Sequence, residues 1–137
     1  MALVKLRMPL IEMKTDLENV KLVVNHAHGI DLAAYVDGIC IGRALSILDG
    51  KNLKLCDIRL ERFARKGVGT LMLERLILEA DRAGVVEISG SVMSEDLEKS
   101  PFLTQWYTRH GFTVTDAPPD HPEGAKKCIS RISRRAK

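Results

Sequence analysis

Aromatic residues account for only 4% of the chain, and its body does not interleave them with basic residues. A surface that stacks nucleobases on aromatic rings is therefore not indicated. Cysteine is scarce as well: Cys40, Cys56 and Cys128 are odd in number, far apart and without a Cys-x-x-Cys pair. That argues against a disulfide framework or a cysteine zinc site and suits three thiols in a reducing cytoplasm. No apolar run approaches the roughly 18 residues of a membrane span, so no membrane partner is expected. Lys5 and Arg7 interrupt the first residues, and no apolar stretch ends in a small-residue cleavage site, so no secretory signal is expected. His26, His28, His110 and His121 lack helical metal-ligand spacing, and His26-x-His28 alone is weak ground for zinc; no metal is expected.

What is present is an ordinary globular composition, 45% hydrophobic and 28% charged over 137 residues. A chain of this size buries roughly two-thirds of its unfolded surface, and a single domain over residues 1–137 is expected. The formal charge of +3 is unevenly spread, because six of the 21 basic residues fall in residues 124–137, a segment without an acid. Such a tail attracts polyanions, although a solvated terminus is its commoner use.

Branched residues in 3–11 and 20–26 predict strands, with Pro9 restricting the first to an edge or an end. Ile30, Leu32 and Val36 share a face before Asp37-Gly38 turns the chain. The returning arm sets Ile39, Ile41, Leu45 and Ile47 on one face and Cys40, Gly42, Ala44 and Ser46 on the other, and Asp49-Gly50 turns it again. In the third arm Leu53 and Leu55 keep one phase while Ile58 and Leu60 keep the next. One added residue, as in a β-bulge, would free backbone groups around residues 56–58 for a ligand; a strand buried on both faces gives the same pattern.

Residues 67–83 read as an amphipathic helix, with Met72, Leu73, Leu76, Ile77 and Ala80 opposite a charged arc and Gly84 as the stop. Leu71 and Leu78 project from the charged side. Residues 85–89 predict a short buried strand. Ser100, Pro101 and Gly111 bound a second helix as N-cap, first-turn proline and terminal glycine, with Phe102, Leu103, Trp106 and His110 as its buried stripe. Phe112 and Val114 begin another strand, prolines 118, 119 and 122 mark a loop, and residues 127–132 form a closing strand. From Ile30 the order is β-β-β-α-β-α-β-β, an α+β class with a mixed sheet and no internal repeat.

Arg65-Lys66-Gly67-Val68-Gly69-Thr70 joins the bulged arm to the first helix. Free backbone N–H groups and the positive end of the helix dipole converge there, a setting that binds phosphate, with Arg65 and Lys66 adding charge. A Walker loop needs Gly-Lys-Ser/Thr at its end, whereas Gly69 is followed directly by Thr70. A Rossmann fingerprint needs glycine or alanine where Met72 stands, and an early parallel strand in place of an antiparallel meander.

The loop Ala64-Arg65-Lys66-Gly67-Val68-Gly69 resembles the Gln/Arg-x-x-Gly-x-Gly/Ala pattern of the GCN5-related N-acetyltransferases, with a departure at Ala64. Trp106-Tyr107-Thr108-Arg109-His110-Gly111-Phe112 is similar to that family's Phe-Tyr-x-x-x-Gly-Phe segment, and Ser100-Pro101 lies where the family often has Asn-Pro. The resemblance implies an acetyl-CoA cosubstrate in a gap between the bulged strand and the strand after the first helix. Ile58 and Leu60 would offer backbone groups to the pantetheine, and Val68, Gly69 and Thr70 amides to the pyrophosphate. Tyr107 matches the tyrosine that protonates the departing coenzyme A sulfur. Family members usually carry two helices after their first strand, whereas residues 14–19 are the only marginally helical piece here. The acceptor site is therefore expected to be abbreviated, open or completed by a second copy in a homodimer.

The implied activity is transfer of an acetyl group to a primary amine of a small molecule or a macromolecule such as a protein. No general base stands out. Asp57 and Glu61, on or just after the bulged strand, could accept a proton through water, Glu87 is a third candidate, and Ser91 stands where some relatives carry glutamate. A catalytically degenerate acyl-CoA-binding protein, and a small nucleic-acid-associated protein using its basic tail, are the alternatives.

Overall fold

The computed structural model describes residues 17–61 and 67–133. The strand expected over 3–11, residues 14–16 of the marginally helical piece, and Arg65 and Lys66 lie outside the described residues. β1 (Lys21–His26), β2 (Ile30–Val36), β3 (Ile39–Asp49) and β4 (Asn52–Leu60) form an antiparallel meander. Its hairpins close where the sequence places Asp-Gly: Asp37 and Gly38 both take positive φ, 52° and 79°, as a type I′ turn requires.

Gly67 starts helix α1 (Val68–Arg82) from a left-handed conformation, φ 94°, and the first turn closes through the Leu71 amide to the Gly67 carbonyl at 3.0 Å. Along α1, Val68, Met72, Leu73, Leu76 and Ala80 are buried, the 3.6-residue stripe expected of a helix lying on a sheet. Leu71 is half-buried and Leu78 exposed. The crossover then lays β5 (Glu87–Val92) parallel to β4. The chain continues through α2 (Ser94–Lys99), α3 (Leu103–Arg109), β6 (Thr113–Asp116) and β7 (Lys127–Ile132). Among the described residues seven strands are ordered β1-β2-β3-β4-β5-β7-β6, a mixed sheet within an α+β fold.

Two extra residues reset the faces of the sheet. Ala34 pairs with Gly42 and Tyr35 with Cys40, so Ile41 is inserted in β3; Ser46 pairs with Leu55 and Leu45 with Asp57, so Cys56 is inserted in β4. The second is a bulge, one of the two readings that the broken alternation left open. The first explains why Ile41 is buried together with Gly42, Ala44 and Ser46, while Leu45 and Ile47 of the same arm stand exposed. The small residues face α1 because a helix needs room: a Cβ at Gly42 would meet the Met72 sulfur at 3.0 Å.

Three boundaries differ from expectation. The strand after α1 runs Glu87–Val92, later than 85–89, because the Val85 and Val86 amides are used in capping α1 and in bonding the Lys51 carbonyl. A helix, α2, fills the stretch before Ser100 and adds one element to the order. Ser100 and Pro101 precede α3 as a turn; the Leu103 amide bonds the Ser100 carbonyl at 3.0 Å, and Phe102 is 70% exposed, outside the buried stripe. Among the described residues no helix is long and apolar enough to cross a membrane.

Candidate active site

The β4–β5 ladder pairs Asn52 with Glu87 through to Leu55 with Gly90 and stops there, although β4 continues to Leu60 and β5 to Val92. The inserted Cys56 is the first residue beyond the ladder; a bulge bends its strand, so the two strands part. Between them opens a cleft of about 820 Å³, within the usual range of ligand sites. One wall is Cys56 to Leu60 and the other Ser91 and Val92, with Gly67, Gly69 and Thr70 at one end and Trp106 and Tyr107 beneath.

At the Gly67 end the first-turn amides of α1 have no carbonyl partner within the helix. A Cβ at Gly69 would sit at ordinary contact distance, 3.4 Å from Leu60 and 3.7 Å from Trp106. Packing does not demand glycine at 69; its consequence is backbone left bare toward the cleft. The Trp106 indole N–H donates to Thr70 Oγ1 at 2.9 Å and ties α3 to the start of α1. Arg59, Lys99 and Arg109 bring positive charge to the same cleft, and Arg59 pairs with Asp57 at 3.1 Å.

Tyr107 is the buried residue of α3, 7% exposed, with its ring edge-on to Trp106 at 5.0 Å and Phe112 at 5.4 Å. The aromatic segment forms the cleft floor because a short helix, followed after its cap by Gly111 at φ 88°, folds Phe112 back against Tyr107. No hydrogen bond to the Tyr107 hydroxyl occurs among the described residues, and the side chain lines the cleft. Burial pushes its pKa up to about 12, and the charges of Asp96 and Asp57 add to the shift. A pKa raised in the folded state gives stability that is whole below pH 10 and is lost as pH rises toward 12. Wild type should therefore lose on the order of 2–3 kcal/mol more than Tyr107→Phe across that window, read by denaturant titration at each pH.

Of the residues singled out from the sequence, Asp57, Ile58, Leu60, Gly67, Gly69, Thr70, Ser100 and Tyr107 all line this cleft. Val68 does not; its side chain is buried in the core, and only its amide belongs to the helix end. Glu61 is exposed outside the cleft, its amide bonded to the Ile41 carbonyl, because the bulge carries β4 past the opening. Glu87 sits at the closed end of the ladder, where Asn52 Nδ2 and Ser130 Oγ donate to its carboxylate at 2.8 and 2.5 Å; it is a sheet-pinning group. Asp96, Lys99 and Arg109 are additions that the sequence reading passed over. The run Ser94-Glu95-Asp96 carried a usable signal, since acids cluster in first helical turns, and Asp96 Oδ2 indeed accepts the Met93 amide at 3.3 Å.

No family model matches the sequence, and no curated protein matches it. Solved structures do. An N-acetyltransferase, PaiA, from Thermoplasma acidophilum, in complex with coenzyme A, is 19% identical with a TM-score of 0.61 over 75% of this chain; the present chain spans 60% of its length. An acetyltransferase of the GNAT family from Staphylococcus aureus is 17% identical, TM-score 0.62, covering 92% of this chain and 77% of its own. A GNAT family acetyltransferase from Elizabethkingia anophelis with acetyl-CoA bound is 13% identical, TM-score 0.65, covering 85% of this chain and 99% of its own. With its parted β4 and β5, its glycine-led helix and its mixed sheet, the chain has the fold of the GCN5-related N-acetyltransferases.

Proposed function

We propose that the protein is an N-acyltransferase that moves an acetyl group from acetyl-CoA to a primary amine. The observation that carries this reading is the Tyr107 side chain, buried and with no hydrogen-bond partner for its hydroxyl among the described residues, at the floor of a cleft that has the start of α1 at one end. In this reading the α1 amides of Val68, Gly69 and Thr70 receive the pyrophosphate, with Arg59, Lys99 and Arg109, and Arg65 and Lys66 from the loop, supplying countercharge. The unpaired stretch of β4 at Ile58 and Leu60 offers backbone groups to the pantetheine arm. That arm delivers the thioester to Tyr107. Fold kinship with enzymes holding coenzyme A or acetyl-CoA supports the choice of cosubstrate.

Thioester aminolysis leaves a thiolate, and Tyr107 is the group that meets it. A phenol near 12 stays protonated at all physiological pH. An ordinary thiol ionises near 8.5, so full transfer to a solvated thiolate would be uphill; at a buried phenol desolvation raises the sulfur's proton affinity as well. The proton therefore moves as the C–S bond breaks, when negative charge on sulfur is least solvated.

Acetyl-CoA should raise the melting temperature, as a ligand selective for the folded state must. Gly67→Val or Gly69→Val should remove that shift while leaving the far-ultraviolet circular dichroism intact. Wild-type melting unchanged at millimolar acetyl-CoA would refute the proposal.

A further inference from the structure

The cleft has two sides that differ in chemistry. Leu53 and Leu55 of β4 and Ile88, Gly90 and Val92 of β5 turn into the core, the side on which α1 and α3 pack. Glu87, Ser89 and Ser91 alternate onto the opposite face, which they share with Lys54. Tyr107 occupies the helical side, so an amine attacking a thioester in the gap has its free approach from the polar face. Ser91 belongs to that face and also lines the cleft.

Ser91 does not stand alone there. The loop between β6 and β7 folds back and sets His121 and Glu123 against it, 30 and 32 residues away in sequence. His121 Nδ1 accepts the backbone N–H groups of Glu123 at 3.1 Å and Ala125 at 3.4 Å, which puts the ring proton on Nε2. Nε2 faces Ser91 Oγ at 3.5 Å. With that proton directed at its oxygen, the serine turns its own O–H to Glu123 Oε1 at 3.4 Å. Lys54 Nζ bonds the same carboxylate at 3.2 Å and is the first cause holding its pKa below the usual range, so Glu123 is ionised at neutral pH. Separations of this length are usual for proton-transfer groups before substrate closes the site.

We infer that Ser91 takes the proton from the attacking amine and passes its own to Glu123, with His121 positioning the hydroxyl. This rests on the acyltransferase reading. The amine lone pair forms the C–N bond at the thioester carbonyl, and the nitrogen, now cationic, gives a proton to Ser91 Oγ as the serine proton moves to the Glu123 carboxylate and on to water. The C–S bond breaks with its electron pair on sulfur, which takes the Tyr107 proton; water restores Tyr107. At Ser91, where the resemblance puts a glutamate in some relatives, the carboxylate thus comes from another loop and acts through the serine.

The test uses the full chain with acetyl-CoA and hydroxylamine, a small amine that is neutral at pH 7, with coenzyme A release followed by a thiol reagent. Ser91→Ala and Glu123→Gln are each expected to lower kcat by about 100-fold, within the range for a lost proton-transfer group, with the acetyl-CoA melting shift unchanged. Added formate should restore part of the Glu123→Gln rate, which a merely structural role would not allow. Wild-type rates in both variants overturn the relay, as does loss of the acetyl-CoA melting shift in both. Absence of any melting shift in the wild type overturns the acyltransferase reading itself and the relay with it.

Discussion

Tyr107→Phe is expected to bind acetyl-CoA as wild type does and to turn it over about 100-fold more slowly or worse. The substitution keeps the ring that packs edge-on against Trp106 and Phe112, so the cleft floor stays in place. Only the hydroxyl goes, and among the described residues it has no hydrogen-bond partner to strand. Because that hydroxyl is buried and un-ionised, its loss removes one proton donor and no charge. The effect should therefore fall on kcat, with KM for acetyl-CoA nearly unchanged, a split that steady-state kinetics resolves. Full turnover by the variant with an amine the wild type uses would reduce Tyr107 to a packing residue.

The largest stability effect is expected away from the cleft, at Gly29. A Cβ there would lie 2.2 Å from the Ser46 carbonyl oxygen, 2.5 Å from its carbon and 2.8 Å from the Ile47 nitrogen, all backbone of β3. That backbone cannot retreat without opening a local lock: Ser46 Oγ donates to the Ile30 carbonyl at 2.6 Å and accepts the Ile30 amide at 2.9 Å, and the Leu48 amide bonds the His28 carbonyl at 2.8 Å. Gly29→Ala should cost on the order of 3–5 kcal/mol, the scale of the most damaging single substitutions. For a domain of this size that lowers Tm by roughly 10–20 °C. Gly124→Ala makes the control: nothing lies within 4 Å, and only its φ of 71° opposes a side chain, so about 1 kcal/mol is expected. Thermal denaturation of the two variants side by side separates collision from backbone strain.

Local chemistry reaches only a few residues along the chain, and what depended on it was legible from the sequence by itself. The Asp-Gly hairpins, helix α1 and its buried stripe, strand β7 and the glycine-led start of α1 all follow from turn geometry or periodicity, whereas the broken alternation of β4 left a bulge and a doubly buried strand equally open until the register decided. The aromatic segment around Tyr107 and the glycine loop together pointed to the fold that the solved structures share. What neighbours decide was not legible. The register of β2 on β3 inserted Ile41 and chose which face of that arm α1 would cover, leaving Leu45 and Ile47 outside. Ser100 and Pro101 carry the pattern of a helix start, but α2, directly before them, uses the chain up to Lys99, so α3 begins only at Leu103. Glu61 and Asp57 look alike in sequence, and only the path of β4 beyond its bulge separates one from the cleft and leaves the other in it. Whether a carboxylate serves Ser91 depended on a proline-bearing loop some 30 residues downstream folding back onto β5, a contact that no periodicity, cap or turn rule encodes.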